Sequence, residues 1–400
     1  MKKSNLMSIV TACATFSAFT AFAAGVFGDT PDSKHAWSVH DRNRPNPVKI
    51  SAEVGKAPGD AIVLFDGTRE SFEKNWCDKK GRPSKWSLGK EGDFYCLPGG
   101  KNGGNILTRK SFGDCQLHIE FRHPKEEGIT SGRRGAQMHG NSGVFLMSKY
   151  EVQVLESFGT DPADMKNPNY ADGQAGAIYS QNPPLVNPAR RPGEWQTYDI
   201  IFHQPVWDGK KLLHPASITV LFNGVVVQDH WEMDHFTTYR VRTPVVPHAK
   251  RLPISLQDHG CRVHYRNIWI RELPSRYADR ANGGPGVDEK EVMKQRRATA
   301  ARLYSKIAKP VEPSVGNMQA LGEVISYARE GEFEKVWKET AEKFHDVLDK
   351  MSDSEWNAKK KSLLSLRNSL DVLIRNCVVP KSCGTRMRIN AAAQRLGWNK

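Results

Sequence analysis

Residues 150–154, Tyr-Glu-Val-Gln-Val, set a carboxylate and an amide two positions apart in an alternating run. In a β-strand, residues two apart share a face. Glu151 and Gln153 therefore project together, while Val152 and Val154 point the other way, into a core. A carboxylate beside an amide on one sheet face can move a proton and hydrogen-bond hydroxyls, which suits a polar ligand such as a sugar. The competing reading is a solvated strand face, and for a lone Glu-x-Gln it is the better one. Glu156 has the opposite parity but sits at the strand end, where a turn would re-aim it. His230 and His259 each follow a Gln-Asp step, and small environmental shifts bring histidine into use as acid or base near neutral pH.

These residues need a sheet to hold them. From Ala61 to Leu273, short alternating runs are separated by Gly, Pro, Asn and Asp clusters. In one of them, at 116–122, Arg122 shares a face with Glu120 and could stabilise negative charge. Another, at 216–222, runs into Asn223-Gly224, a strong hairpin signal. Many short strands without intervening helical periodicity predict an all-β, two-sheet antiparallel β-sandwich. Residues 277–286 read as a linker by composition. Helices are expected only beyond it, at 289–307, 316–331 and 332–350, then after a Ser352 or Ser354 cap, and last at 391–396. The third carries Phe333, Val336, Trp337, Ala341, Phe344 and Leu348 at spacings of three and four, an amphipathic pattern.

The motifs along the sheet region resemble, in order, the 3-keto-disaccharide hydrolase domain family. They are Asn141-Ser-Gly-Val-Phe-Leu-Met, Tyr150-Glu-Val-Gln-Val-Leu-Glu-Ser, Tyr170-Ala-Asp-Gly-Gln-Ala-Gly-Ala-Ile-Tyr, Pro192-Gly-Glu-Trp-Gln-Thr-Tyr-Asp-Ile-Ile, Val226-Val-Gln-Asp-His, Leu256-Gln-Asp-His-Gly and Tyr265-Arg-Asn-Ile-Trp-Ile-Arg. The resemblance spans about Ile62 to Leu273, roughly half the chain. It implies a concanavalin-like jelly roll and an activity on glycosides already oxidised to a ketone at C3. In one departure, Leu155-Glu156-Ser157 stands where the family has Leu-Asp-Ser, so the carboxylate is carried on a longer stem.

A C3 ketone acidifies the hydrogen on C2, so a base can remove it and the enolate can expel the C1 substituent. This differs from ordinary glycoside hydrolysis with two carboxylates flanking the anomeric carbon. It needs a base, an enolate stabiliser and an acid for the leaving oxygen. Glu151 is the first choice for acid and base, with Glu156, His259 and His230 as further catalytic candidates. Arg122, Asn141, Gln153, Asp172, Gln174, Tyr179, Gln181 and Gln257 are the substrate-binding candidates. Trp195 opens a strand and reads as core packing rather than a sugar platform. A divalent metal would stabilise an enolate, and His230, His259, Glu151 and Asp258 are suitable ligand types. A structural Ca²⁺ held by loop oxygens would also fit. No close His-x-His or His-Glu-x-x-His spacing supports a metal, none is required by the sequence, and it stays unassigned. The alternative function is a non-catalytic carbohydrate-binding sandwich whose helical tail docks a protein partner.

The chain has 400 residues and a formal net charge of +14, room for two domains and a bias towards anionic partners. Lys2 and Lys3 precede an apolar run ending in Ala21-Phe22-Ala23-Ala24, the pattern of an export signal cleaved after Ala23. The lack of a basic stop-transfer flank argues against a retained anchor and stable membrane insertion. A lipoprotein acylated at Cys13 would leave an unusually short apolar segment. Export to the periplasm or medium also argues against nucleic acid. The expected order is signal 1–23, extended lead-in 24–60, sandwich 61–275, linker 276–288 and helical domain 289–400. The six mature cysteines suggest disulfides, with Cys77–Cys96, Cys115–Cys261 and Cys377–Cys383 as the preferred pairing.

Overall fold

The computed structural model describes residues 26, 28–97, 103–125, 136–158, 170–275 and 287–398. The signal reading, Cys13 and most of the linker lie outside them. The chain divides into two compact units, Val48–Ala278 and a second comprising Met1–Pro47 with Asp279–Lys400.

The first unit is built from antiparallel strands. In order they are β1 (Ile62–Phe65), β2 (Trp76–Asp78), β3 (Ser87–Leu88), β4 (Phe94–Tyr95), β5 (Ile106–Phe112), β6 (Cys115–Arg122), β7 (Ser142–Leu146) and β8 (Tyr150–Val154). There follow β9 (Gln196–His203), β10 (Val206–Asp208), β11 (Lys211–His214), β12 (Ser217–Phe222), β13 (Val225–Glu232), β14 (His235–Phe236), β15 (Thr243–Pro244), β16 (Leu252–Leu256) and β17 (His264–Glu272). An eight-stranded sheet has the order β13-β12-β9-β6-β17-β4-β3, with β1 also on β17; a five-stranded sheet has the order β2-β5-β16-β7-β8.

Alternation explains the strands. On β6, Cys115, Leu117, Ile119 and Phe121 are buried while the residues between them are partly exposed. One apolar cluster draws Leu117, Ile119, Tyr198 and Phe202 from the larger sheet and Val144, Leu146, Val152 and Val154 from the smaller. The Tyr150 and Phe202 rings lie 5.5 Å apart. Two hydroxyls tie the sheets inside this apolar layer: Tyr198 donates to the Gln153 carbonyl at 2.7 Å, and Tyr265 to Ser142 Oγ at 2.7 Å. The Asn223-Gly224 turn joins β12 to β13 with both residues at positive φ, as a two-residue hairpin requires.

Two expectations are corrected. A helix, α1 (Arg69–Asn75), precedes the linker; Thr68 caps it by accepting from Ser71 N, and Phe72 drops into the core. Helices therefore do not wait for the Gly-rich segment. Among the described residues the six cysteines form no disulfide. Cys115 pairs with Glu272 at one end of the β6–β17 ladder, whereas Cys261 precedes the other end, where His264 faces Arg122. That ladder separates them by several strand residues, far beyond the roughly 7 Å Cα limit of a disulfide. Cys77 Sγ instead donates to the Leu107 carbonyl and Cys96 Sγ to the Cys261 carbonyl.

The second unit holds α2 (Glu289–Tyr304), α3 (Val315–Tyr327), α4 (Glu332–Asp349), α5 (Asp353–Ala358), α6 (Lys360–Arg375) and α7 (Gly384–Arg395). The stretch after Ser352, expected as one helix, is two: a Ser352–Glu355 capping box starts α5, and α6 follows it. The last helix is longer than expected, beginning at Gly384. Leu321, Phe344, Leu363, Leu366 and Leu370 share one core. The lead-in belongs here in part: Trp37 packs edge-on to Tyr327 at 6.4 Å, and Asn43 Nδ2 donates to Glu323 at 2.5 Å. Among the described residues, no helix is long and apolar enough to cross a membrane.

Candidate active site

β8 is the edge strand of the five-stranded sheet, so its outer backbone groups need partners. Two irregular segments supply them. Gln153 N donates to Ala177 O at 2.9 Å, and Tyr179 N donates to Glu151 O at 3.2 Å. Glu151 N donates to Thr237 Oγ1 at 3.1 Å. The edge thus fixes the 170–182 segment and the β14–β15 loop on either side of Glu151.

Those two segments enclose a cavity of about 600 Å³, within the size range of small-molecule sites. Tyr170, Asp172, Tyr179 and Ser180 come from one segment, and Tyr239 with Arg240, Val241 and Arg242 from the other. The Tyr170 and Tyr179 hydroxyls are hydrogen-bonded at 3.0 Å. Tyr239 is 62 % exposed, so an aromatic face is open to a sugar ring. Burial raises the pKa of both Tyr170 and Tyr179, and the charges of Tyr239 and Glu151 raise it further. The four groups therefore sense one another electrostatically.

Glu151 is buried, and burial pushes its carboxyl up to about 8. Among the described residues no side chain hydrogen-bonds that carboxyl. Its Oε1 lies over Gly143 on β7, where a Cβ would collide with it. A buried acid without a partner is costly, and such perturbed groups concentrate at functional sites. Gly143→Ala should push the carboxyl aside: kcat/KM should fall by up to about a hundredfold, the scale of a 1 Å misplacement. The same change should lower unfolding free energy by only about 1–3 kcal/mol. Chemical denaturation beside steady-state kinetics checks both.

Of the residues singled out in the sequence, Asp172 and Tyr179 line the cavity; Glu151 is not among its lining residues, although its charge reaches Tyr170 and Tyr179. Gln153 shares the face of Glu151, but its amide is committed: Nε2 lies 3.1 Å from Asn141 Oδ1, 3.3 Å from Ser142 O and 3.0 Å from Val154 O. Asn141 in turn donates to Gln137 O at 2.7 Å. Both brace the strand rather than face a substrate. Gln181 ties its segment to β14 by donating to His235 O at 2.7 Å. Gln174 is half-buried and outside the cavity lining. Gln257 N donates to Gly143 O at 3.0 Å, and its buried Oε1 has no partner among the described residues. Glu156 lies just beyond the end of β8, where its Oε1 accepts from Phe158 N at 2.9 Å.

The remaining candidates lie elsewhere. His259 sits in the turn after β16, outside the cavity lining. His230 is on β13, the edge of the larger sheet, with its ring 6.4 Å from that of His203. Arg122, also on the larger sheet, donates to Glu91 at 2.8 Å. Trp195 is not core packing; the guanidinium groups of Arg122 and Arg266 lie 4.5 and 4.0 Å from its ring centre. Beside them His118 bonds Asp199 at 2.7 Å, and Arg266 and Asn267 bond Glu120 at 2.6 and 2.8 Å. Burial works against the charge on His118, but Asp199 and Glu120 outweigh it and hold the imidazole at about 9. Every charge there is answered, which marks a brace rather than a proton exchanger. Among the described residues no group of three His, Cys, Asp or Glu could hold a metal ion, so Glu151, His230, His259 and Asp258 do not form one.

Sequence reasoning missed Tyr170, Ser180, Tyr239, Arg240 and Arg242. Tyr239-Arg-Val-Arg lies in a loop without periodicity, and its one signal was two arginines flanking an apolar residue.

Comparison with known proteins adds the following. The 3-keto-alpha-glucoside-1,2-lyase-like domain matches residues 60–271. A crystal structure of a candidate glycosyl hydrolase from Parabacteroides distasonis is 38% identical, with a TM-score of 0.50, over 57% of this chain and 93% of that one. A second candidate glycosyl hydrolase from the same organism is 17% identical, with a TM-score of 0.37, over 54% of this chain and 94% of its own. Comparison with curated proteins finds no match.

Proposed function

We propose, from the premise that this chain belongs to the 3-keto-alpha-glucoside-1,2-lyase-like domain family, that its β-unit is a concanavalin-like sandwich cleaving 3-keto-glycosides by elimination. The observation that carries the reading is the buried Glu151 carboxyl, unpartnered among the described residues and close enough to a tyrosine-lined cavity to act on Tyr170 and Tyr179. A desolvated carboxylate is a stronger base than one in water, which suits removal of a proton from carbon.

Glu151, as the carboxylate, takes the C2 proton, and the C–H electron pair forms the C2=C3 enolate with its charge on O3. The ketone re-forms, C1=C2 forms, and the C1–O bond breaks with its pair going to the leaving oxygen. That oxygen takes the proton now held by Glu151, so no net proton is consumed. The products are an alcohol and a 2-hydroxy-3-keto-glycal; water adding across C1=C2 gives the 3-keto sugar. The Tyr170–Tyr179 hydroxyl pair, in which one O–H donates to the other and leaves one proton free, supplies the donor at the cavity for the enolate oxygen. Export of the enzyme fits a substrate met outside the cytoplasm.

A carbohydrate-binding module is the second reading, favoured by exposed Tyr239. It gives no use for a buried acid. Incubation of the protein with 3-keto-maltose and with maltose separates the two. Release of glucose from the ketone alone is expected. Equal cleavage of both would remove the elimination, and binding without cleavage would favour the module.

A further inference from the structure

The cavity proposed for 3-keto-glycosides carries a feature that a neutral disaccharide does not use. Arg240 and Arg242 line it from the β14–β15 loop, together with Tyr170, Asp172, Tyr179 and Ser180 from the other segment. Both are exposed. Among the described residues neither has a carboxylate within ion-pair distance, unlike Arg122, Arg251, Arg266 and Arg271 of the same unit. Arg240 takes a left-handed backbone, φ 60°, and lays its guanidinium 4.9 Å from the Tyr239 ring centre. Cation and aromatic plane thus line the same wall. Asp172 is the one acid lining the cavity, against two guanidinium groups.

Guanidinium groups match carboxylates in shape and can bond both oxygens at once. Aromatic stacking beside them would hold the sugar ring that carries the acid. With the reacting ring taken by Glu151 and Tyr179, the arginine-bearing loop is left to contact the unit that departs. We propose that Arg240 and Arg242 select 3-keto-glycosides whose departing unit bears a carboxylate, such as an aldonate. The inference rests on the reading of this cavity as the substrate site. It also places upstream a reaction that oxidises C3 of an acidic glycoside.

The test compares 3-keto-maltose with 3-keto-maltobionate, which differ in whether the departing unit is glucose or gluconate. The wild-type protein should favour the aldonate in kcat/KM by about tenfold or more, the scale of one or two solvent-screened ion pairs, chiefly through KM. The preference should shrink in high salt. Arg240→Ala/Arg242→Ala should lower kcat/KM for the aldonate about tenfold more than for the neutral ketone. No preference in the wild type, or an equal fall on both substrates, overturns the inference. Calorimetry with unoxidised maltose and maltobionate keeps the two readings apart. Preferential, arginine-dependent binding of maltobionate without turnover of either ketone would leave the inference standing and sink the elimination. Equal binding of the two sugars together with turnover of both ketones at equal efficiency would do the reverse.

Discussion

Glu151→Gln should cut kcat on a 3-keto-glycoside by roughly a hundredfold or more, the usual loss when a positioned acid/base is removed. The amide is nearly isosteric, and no side chain among the described residues bonds the carboxyl, so packing and substrate affinity should survive. KM should therefore change little. Near-normal turnover would take Glu151 out of the reaction. Gln153→Ala should behave differently. Its amide braces Asn141, Ser142 and Val154, so its loss leaves buried acceptors open and lowers stability by about 1–3 kcal/mol.

The second large effect is on pH. Burial holds the Glu151 carboxyl at about 8, so in the free enzyme only a minority is ionised at pH 7. If the ionised form is the base, kcat/KM should rise about tenfold per unit below that value and level off above it. A profile that falls through the same region would make Glu151 the proton donor instead. Stability should move the other way. The folded carboxyl keeps its proton to about 8, while an unfolded glutamate releases it near 4.5. Between those values the native state binds more protons than the unfolded one, so the Glu151 contribution is full below 4.5 and is lost as pH rises through 8. The wild-type Tm should decline over that window relative to Glu151→Gln, which has no proton there to lose. Calorimetric scans of both proteins across pH 5–8 read the difference without any substrate.

How far the sequence could be read depended on what each residue type constrains. Strand periodicity placed Val152 and Val154 in the core and Glu151 on the other face, because a period of two leaves no choice once one face is buried. The Asn223-Gly224 turn was equally legible, since both positions need positive φ. The partners of a polar side chain were not. Gln153 has the same parity as Glu151, yet its amide is spent on three neighbours that only the folded chain brings close. Trp195 misled because aromatic residues at strand starts usually pack inward; here it lies against two arginines, from β6 and β17. The cysteine pairing failed because an even count says nothing about which ladder end each residue occupies. The cavity itself was hidden because Tyr179 and Tyr239 lie on irregular segments that meet only at the open edge of β8. Loop residues follow no period, so their convergence is a property of the sheet edge that holds them.

The central claim is that a proton leaves C2 before the glycosidic bond breaks. The most direct measurement uses 3-keto-maltose deuterated at C2 of the oxidised ring, with the released sugar analysed by mass. The account predicts slower turnover than for the unlabelled substrate and a product that has lost its C2 deuterium, with Glu151→Gln forming product about a hundredfold more slowly or worse. Release of 3-keto-glucose with its C2 deuterium retained, at an unchanged rate, would contradict it.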